Sequence, residues 1–287
     1  MKKLIFSCLI LLLIISCKSN TKPTNANSLS ATQPLNTTEA LIQKFAPIIQ
    51  GFWVKSDYVT AITHSRSPYA SRKSLDGLAA IEIKMDSLKK DSVLAGASLN
   101  NHEGYQFAVL FKAGHKSNSI ETHMPDWNVN TNFYELGYTV NGKDTTLVMY
   151  HYNKNNRLLD SVAYTKVLNN YAYNYMDYGI SYLTNKALIS GRYTTTDSTG
   201  TALKVEFNDE GKVLGFLEFV KYDINTDFVA GPENDLDQIY FDDYEKNQKQ
   251  FLFKIKADTL NLYDVNKSAD SIHLVWGKLK YKLVRVK

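Results

Sequence analysis

Three groups of residues in this 287-residue chain carry side chains able to do chemistry. His64, Arg66, Arg72 and Lys73 fall within residues 60–74, a stretch without an acid. Gathered at a mouth they would draw a carboxylate, a phosphate or a lipid headgroup, and the same residues also suit a solvated loop of scattered charge. Residues 223–245 hold eight acids (Asp223, Asp227, Glu233, Asp235, Asp237, Asp242, Asp243 and Glu245) and no Lys or Arg. A run of this kind can gather Ca²⁺, which takes six to eight oxygen ligands. Asp223, Asn225 and Asp227 have the alternate spacing of a calcium loop. Phe228, however, stands where that loop needs glycine and Asn234 where it needs a bidentate glutamate, which excludes an EF-hand. His102, His115 and His123 lack the short spacings that fix zinc ligands, and turn chemistry accounts for His102-Glu103. No metal site is assigned. The chain has no Gly-x-Ser-x-Gly elbow, no glycine-rich phosphate loop and no His-Glu-x-x-His, so no catalytic residue is assigned and nothing calls for a cofactor.

The elements that would position these groups begin after an address. Lys2 and Lys3 precede an apolar run from Leu4 to Ile15, broken only by Ser7 and Cys8. It is too short for a bilayer span, which needs about 20 residues, and reads as a signal peptide over residues 1–16. Leu13-Ile14-Ile15-Ser16-Cys17 resembles the bacterial lipobox, which implies that Cys17 becomes a lipidated N-terminus; the residues alone also fit an ordinary cleaved signal. Cys8 would leave with the signal, so Cys17 would be the sole cysteine and no disulfide could form within one chain. Residues 17–37 are rich in Ser, Thr, Asn and Pro and read as a flexible tether. The Asn, Lys and Tyr-rich composition resembles Bacteroidetes-type lipoproteins, in which acids just after the cysteine mark surface export. Their absence before Glu39 implies an outer-membrane protein, lipid-anchored on the periplasmic face. Removing Lys2 and Lys3 leaves 31 basic side chains against 29 acidic, a balance that excludes nucleic-acid binding.

The remainder divides into two related units, 38–168 and 169–287. Ala40, Leu41, Ile42 and Phe45 form a short helical pattern behind Thr37 and Thr38, stopped by Pro47. A first strand opens Ile48-Ile49-Gln50-Gly51-Phe52-Trp53, and a near copy appears as Leu188-Ile189-Ser190-Gly191-Arg192-Tyr193. The units end alike too: Asp144-Thr145-Thr146-Leu147 leads to Tyr164-Thr165-Lys166-Val167, and Asp258-Thr259-Leu260 to Tyr281-Lys282-Leu283-Val284. These pairs mark a diverged tandem repeat. Alternating strands such as Ala80-Ile81-Glu82-Ile83-Lys84-Met85, a type I′ hairpin at Asn141-Gly142, and turn clusters at Asn153–Asn156, Asn208–Gly211 and Asn100–Gly104 give about eight strands per unit. The fold class is all-β: two tandem antiparallel barrels, or sandwiches, each behind a short helical turn.

The Gly-x-Trp strand start, the helical turn before it and the terminal Tyr-x-Val strand resemble the lipocalin-like barrels of bacterial lipoproteins. The resemblance implies that Gly51 and Trp53, and in the second unit Gly191 and Tyr193, close one end of each barrel. Lys166 and Arg285 would supply the basic side chain over the ring, and a ligand would enter at the other end, where the resemblance implies that the connection carrying His64, Arg66, Arg72 and Lys73 lies as a lid. An eight-stranded barrel is filled by side chains or holds one small ligand. Tyr171, Tyr173, Tyr175, Tyr178 and Tyr182 suit packing between the units or sugar-stacking. Seven Asp-Ser/Thr steps (at Asp86, Asp91, Asp144, Asp160, Asp197, Asp258 and Asp270) resemble the O-glycosylation signal of Bacteroidetes envelope proteins, and also the way a turn enters a strand. Three functions remain: a membrane-tethered carrier of a small apolar or amphipathic ligand, an envelope interaction module with filled barrels, or a hydrolase using the acidic run.

Overall fold

The computed structural model describes residues 37–169, 175–196, 199–229, 235–269 and 272–286. Cys17, the signal, most of the tether, Tyr171, Tyr173, Asp197, Ser198, Glu233, Asn234, Asp270 and Ser271 lie outside them. Among the described residues no helix is long and apolar enough to cross a membrane.

Helix α1 (Thr38–Ile49) is capped by Thr37, whose hydroxyl accepts from the Ala40 N–H, and Glu39 lies in its first turn. Leu41, Phe45 and Ile49 recur at the helical period and form its buried stripe. Pro47 does not stop the helix, which runs on to Ile49, so Ile48 and Ile49 are helical rather than the start of a strand. Proline sits here in the last turn, and the chain leaves at Gly51 with φ 121°.

The first eight strands are β1 (Gly51–Lys55), β2 (Leu78–Ile83), β3 (Ser92–Leu99), β4 (Glu103–Ala113), β5 (Ser119–Pro125), β6 (Phe133–Asn141), β7 (Asp144–Tyr152) and β8 (Leu158–Leu168). They pair antiparallel in chain order and β8 returns to β1, closing a barrel. The hairpin between β6 and β7 turns on Gly142-Lys143, because Asn141 is already paired with Asp144. Only Gly142 has positive φ there, so glycine at the first turn position carries the reversal rather than the Asn-Gly pair of a type I′ turn.

Eight more strands follow helix α4 (Tyr178–Leu188): β9 (Gly191–Thr196), β10 (Ala202–Phe207), β11 (Val213–Leu214), β12 (Tyr222–Ile224), β13 (Gln238–Phe241), β14 (Lys249–Lys256), β15 (Thr259–Lys267) and β16 (Leu274–Arg285). Their order, β11-β10-β9-β16-β15-β14-β13-β12, is that of the barrel opened between its third and fourth strands. This sheet is therefore not a second closed barrel. Its edge strands are two and three residues long, too short for a ladder, and meet at one bridge, Lys212 with Lys221. The helical turn before each set of eight strands is also longer than expected, since α1 has 12 residues and α4 has 11.

Between β1 and β2 run α2 (Ser56–Ser65), the short α3 (Pro68–Ser71) and a 3-10 turn, Arg72–Leu75. Tyr58, Ile62 and Leu75 from this connection are buried in the same cluster as Tyr193, Phe207, Phe241 and Leu283 of the second sheet. Strands β1 and β2 consequently serve two cores. Trp53, Ile81 and Ile83 face the barrel, while Val54 and Ala80 join the other cluster. The alternation in β2 thus ends in a strand buried on both faces, Glu82 included, where solvent on one side was expected. Helix α4 covers part of that outer face, with Tyr178 against Phe52 at 5.9 Å.

Candidate functional site

The same device opens both sets of strands. Trp53 is fully buried, donates Nε1–H to the Ile49 carbonyl at 2.7 Å, and pairs across the ladder with Lys166 of β8. The Lys166 ammonium lies 4.7 Å from the indole and donates to the Ile48 carbonyl at 2.9 Å. Burial pushes its pKa down. Tyr193 repeats this arrangement: its hydroxyl donates to the Ile189 carbonyl at 2.6 Å, and its ladder partner is Arg285 of β16. The guanidinium stands 4.9 Å over the ring and donates to Tyr193 Oη and to the Ser190 carbonyl. In both units an aromatic reaches four residues back to the preceding helix and a last-strand cation covers it. Gly51 and Gly191 turn the chain between helix and strand with φ of 121° and 141°.

At the other end of the barrel lies a cavity of about 680 Å³, within the range of small-molecule sites. Leu78, Met124, Met149, Val162 and Tyr164 supply apolar lining. Tyr164 is wholly buried and its hydroxyl donates to the Leu78 carbonyl at 2.9 Å. Tyr105, Trp127 and Tyr134 add aromatic surface. Trp127 remains 59% exposed, edge to face with Tyr105 at 5.2 Å, so an apolar surface is presented to whatever enters.

The polar members are held by register. Tyr134, His151 and Asp160 are successive ladder partners across β6, β7 and β8. His151 stacks on Tyr134 at 4.4 Å, and its two nitrogens face Asp126 Oδ2 at 2.9 Å and Asp160 Oδ2 at 3.0 Å. A ring with one N–H serves one carboxylate, whereas a doubly protonated ring serves both. Burial and the charges of Asp126 and Asp160 push the Tyr134 phenol up to about 12.

Asp126 organises the loop that carries Trp127. Its carboxylate accepts from the Asn128 and Val129 N–H groups and from Asn132 Nδ2, at 2.8, 3.1 and 2.8 Å, as well as from His151. Burial opposes its ionisation, but these donors outweigh burial and hold the carboxyl at about 2. A carboxyl with its folded pKa below the ordinary 3.8 stabilises the fold above that value and loses the contribution as pH falls towards about 2. Asp126→Asn is expected to melt below the wild type at neutral pH, with the gap narrowing between pH 3.8 and about 2. Parallel thermal melts across that window check it, and a constant gap would show that the charge contributes nothing.

The residues singled out for a cationic lid sit elsewhere. His64 Nδ1 stays on its own helix, facing the Thr60 carbonyl, and Arg66, at φ 54°, donates to the Ala257 carbonyl on the β14–β15 turn at 2.8 Å. Arg72 stacks over Tyr69 at 3.9 Å, and Lys73 follows it in the 3-10 turn. None of the four lines the cavity, which draws instead on Asp76, Glu103, Asp126 and Asp160.

The acidic run is dispersed into separate ties. Asp227 pairs with His102 at 2.7 Å, Asp237 accepts from the Tyr69 N–H, and Asp242 accepts from the Val220 and Lys221 N–H groups where the sheet edges meet. His115 pairs instead with buried Glu135, which also accepts from the Ser119 hydroxyl at 2.6 Å. Among the described residues no group of three or more His, Cys, Asp or Glu is gathered to hold a metal ion. No protein-family model, curated protein or solved structure matches this chain.

Proposed function

We propose that this protein is an envelope-anchored lipoprotein built from two diverged lipocalin-like units, the first of which binds a small apolar or amphipathic molecule. On this reading Cys17 carries the lipid in the outer membrane, facing the periplasm, and residues 17–37 hold the folded part off the bilayer. The tandem repeat is supported by the matched pairs Trp53–Lys166 and Tyr193–Arg285, each reaching back to its own helix. The observation that carries the binding function is the 680 Å³ cavity at the barrel end opposite Trp53.

The alternative, an assembly module with filled barrels, is favoured by the second sheet alone. Phe207, Phe216, Phe219, Phe241 and Phe251 occupy its interior ring against ring, with Phe219 and Phe241 stacked at 4.9 Å. The two units then divide the work, one binding and the other holding α2.

Native mass spectrometry of the lipid-free protein taken from its own envelope tests the binding reading. A small molecule that leaves on denaturation is expected, and its return should shift Trp127 emission to the blue. The shift should vanish in Trp127→Phe, because Trp53 is already buried at the far end and Trp276 lies on β16, away from the cavity lining. A clean apo mass with no thermal shift against a metabolite and fatty-acid panel would favour the assembly module.

A further inference from the structure

The charge around the cavity narrows what enters it, an inference that rests on the binding reading above. Asp76, Glu103, Asp126 and Asp160 face it, against one ammonium, Lys55, and one imidazole, His151. Lys55 is engaged by the Asp76 carbonyl at 2.7 Å, and the His151 ring is held between two carboxylates. Both side chains are turned to partners within the protein. Asp160 has 61% of its side chain exposed and Glu103 is exposed on the first residue of β4, so both carboxylates can meet an incoming group.

Aromatic surface stands on the same rim. Trp127 is held there by Tyr105, and the faces of indole and phenol rings attract cations, most strongly where water is partly excluded. Below the rim the lining turns apolar, through Leu78, Met149 and Val162. An anionic headgroup would shed water beside the exposed Glu103 and Asp160 carboxylates, with Lys55 the one ammonium on the lining, a cost that burial does not return. A cationic headgroup meets carboxylate and ring together.

We propose that the barrel selects a cationic amphipath: an amine or quaternary ammonium seated between Trp127, Glu103 and Asp160, with its apolar part on the Leu78, Met149 and Val162 lining. The field of the rim acts before contact as well, raising the local concentration of cations at low salt.

Three probes of one chain length separate the cases: decyltrimethylammonium, decanol and decanoate, each titrated below its aggregation limit into the full chain and followed by Trp emission and calorimetry. Decyltrimethylammonium is expected to bind about tenfold or more tighter than decanoate, the size of one favourable charge contact in a partly desolvated site, with decanol between. Raising salt should weaken the cation and leave decanol unchanged. Glu103→Gln combined with Asp160→Asn, both at exposed carboxylates, should bring the three affinities together. Trp127→Ala should weaken the cation more than decanol. If decanoate binds as well as the cation, the charge inference falls while the cavity reading stands. If none of the three binds, both fall together.

Discussion

Replacing Tyr58 by alanine is expected to cost about 3–5 kcal/mol, the range for deleting a buried ring, and to loosen the second sheet rather than the barrel that carries the residue. Tyr58 lies on α2, within the connection between β1 and β2, yet it is fully buried and its hydroxyl meets Thr184 of α4 at 2.9 Å. Its phenol pKa is pushed up, first by burial, so the ring stays neutral in the core. To the same buried cluster the second sheet contributes Tyr193, Val205, Phe207 and Leu260, and α2 adds Ile62 one turn on. Because α2 leaves the barrel chain to pack into the second core, the wild type should unfold in one transition. Hydrogen exchange of Tyr58→Ala should show lost protection in β9, β10 and β16. Tyr58→Phe, which keeps the ring and strands only the Thr184 hydroxyl, should cost about 1 kcal/mol. Exchange that rises only within residues 38–168 would show that α2 belongs energetically to the barrel.

That coupling explains where the sequence could be read and where it could not. Strand count and the paired Gly-x-aromatic starts are local patterns, and both are visible in the residue order. The role of α2 is not local. Tyr58 and Ile62 have helical spacing, but nothing in residues 56–65 says that their stripe joins the core of the second sheet. The same contact hides the fate of β2, whose alternation promises an exposed face that α4 and the second core cover. Ile48-Ile49 fails for another reason, since a short apolar run fits a helix end and a strand start equally well.

The mouth was missed although part of its signal was present. Once the β6–β7 turn is placed on Gly142-Lys143, counting outward from Asn141 and Asp144 brings Tyr134 opposite His151. The next ladder then brings Asp160 beside the same imidazole. Asp126-Trp127-Asn128 likewise carries an Asx-turn residue before an aromatic, a pattern for holding a ring at a loop tip. Charge density drew attention to residues 60–74 and 223–245 instead, and the structure spends several of those charges on ties between elements. Arg66 reaches Ala257, Asp237 reaches Tyr69, and Asp227 reaches His102.

Gly51→Ala is expected to destabilise the protein by about 3 kcal/mol or more, and Gly191→Ala by clearly less, although the two glycines open equivalent strands. Both hold φ values that L side chains rarely adopt, 121° and 141°, a strain of about 1–3 kcal/mol once a Cβ is present. The difference lies in what that Cβ meets. At Gly51 it would collide with the Leu168 carbonyl oxygen, part of the β8 main chain that closes the barrel beside Trp53. At Gly191 it would collide with Nη1 at the tip of Arg285, a side chain that can withdraw. Withdrawal has its own cost, because Arg285 donates to Ser190 O and Tyr193 Oη. Shortening the obstacle therefore separates the two. In urea unfolding, Gly191→Ala and Arg285→Ala together should cost less than the sum of the single changes, since the second removes the atom the first strikes. Gly51→Ala with Leu168→Ala should show no such relief, because truncating a side chain leaves its carbonyl in place. Equal coupling in both pairs would mean that backbone strain alone sets the cost. Relief confined to the Gly191/Arg285 pair would show that main chain blocks a Cβ at the start of the closed barrel, while at the start of the open sheet only a side chain does.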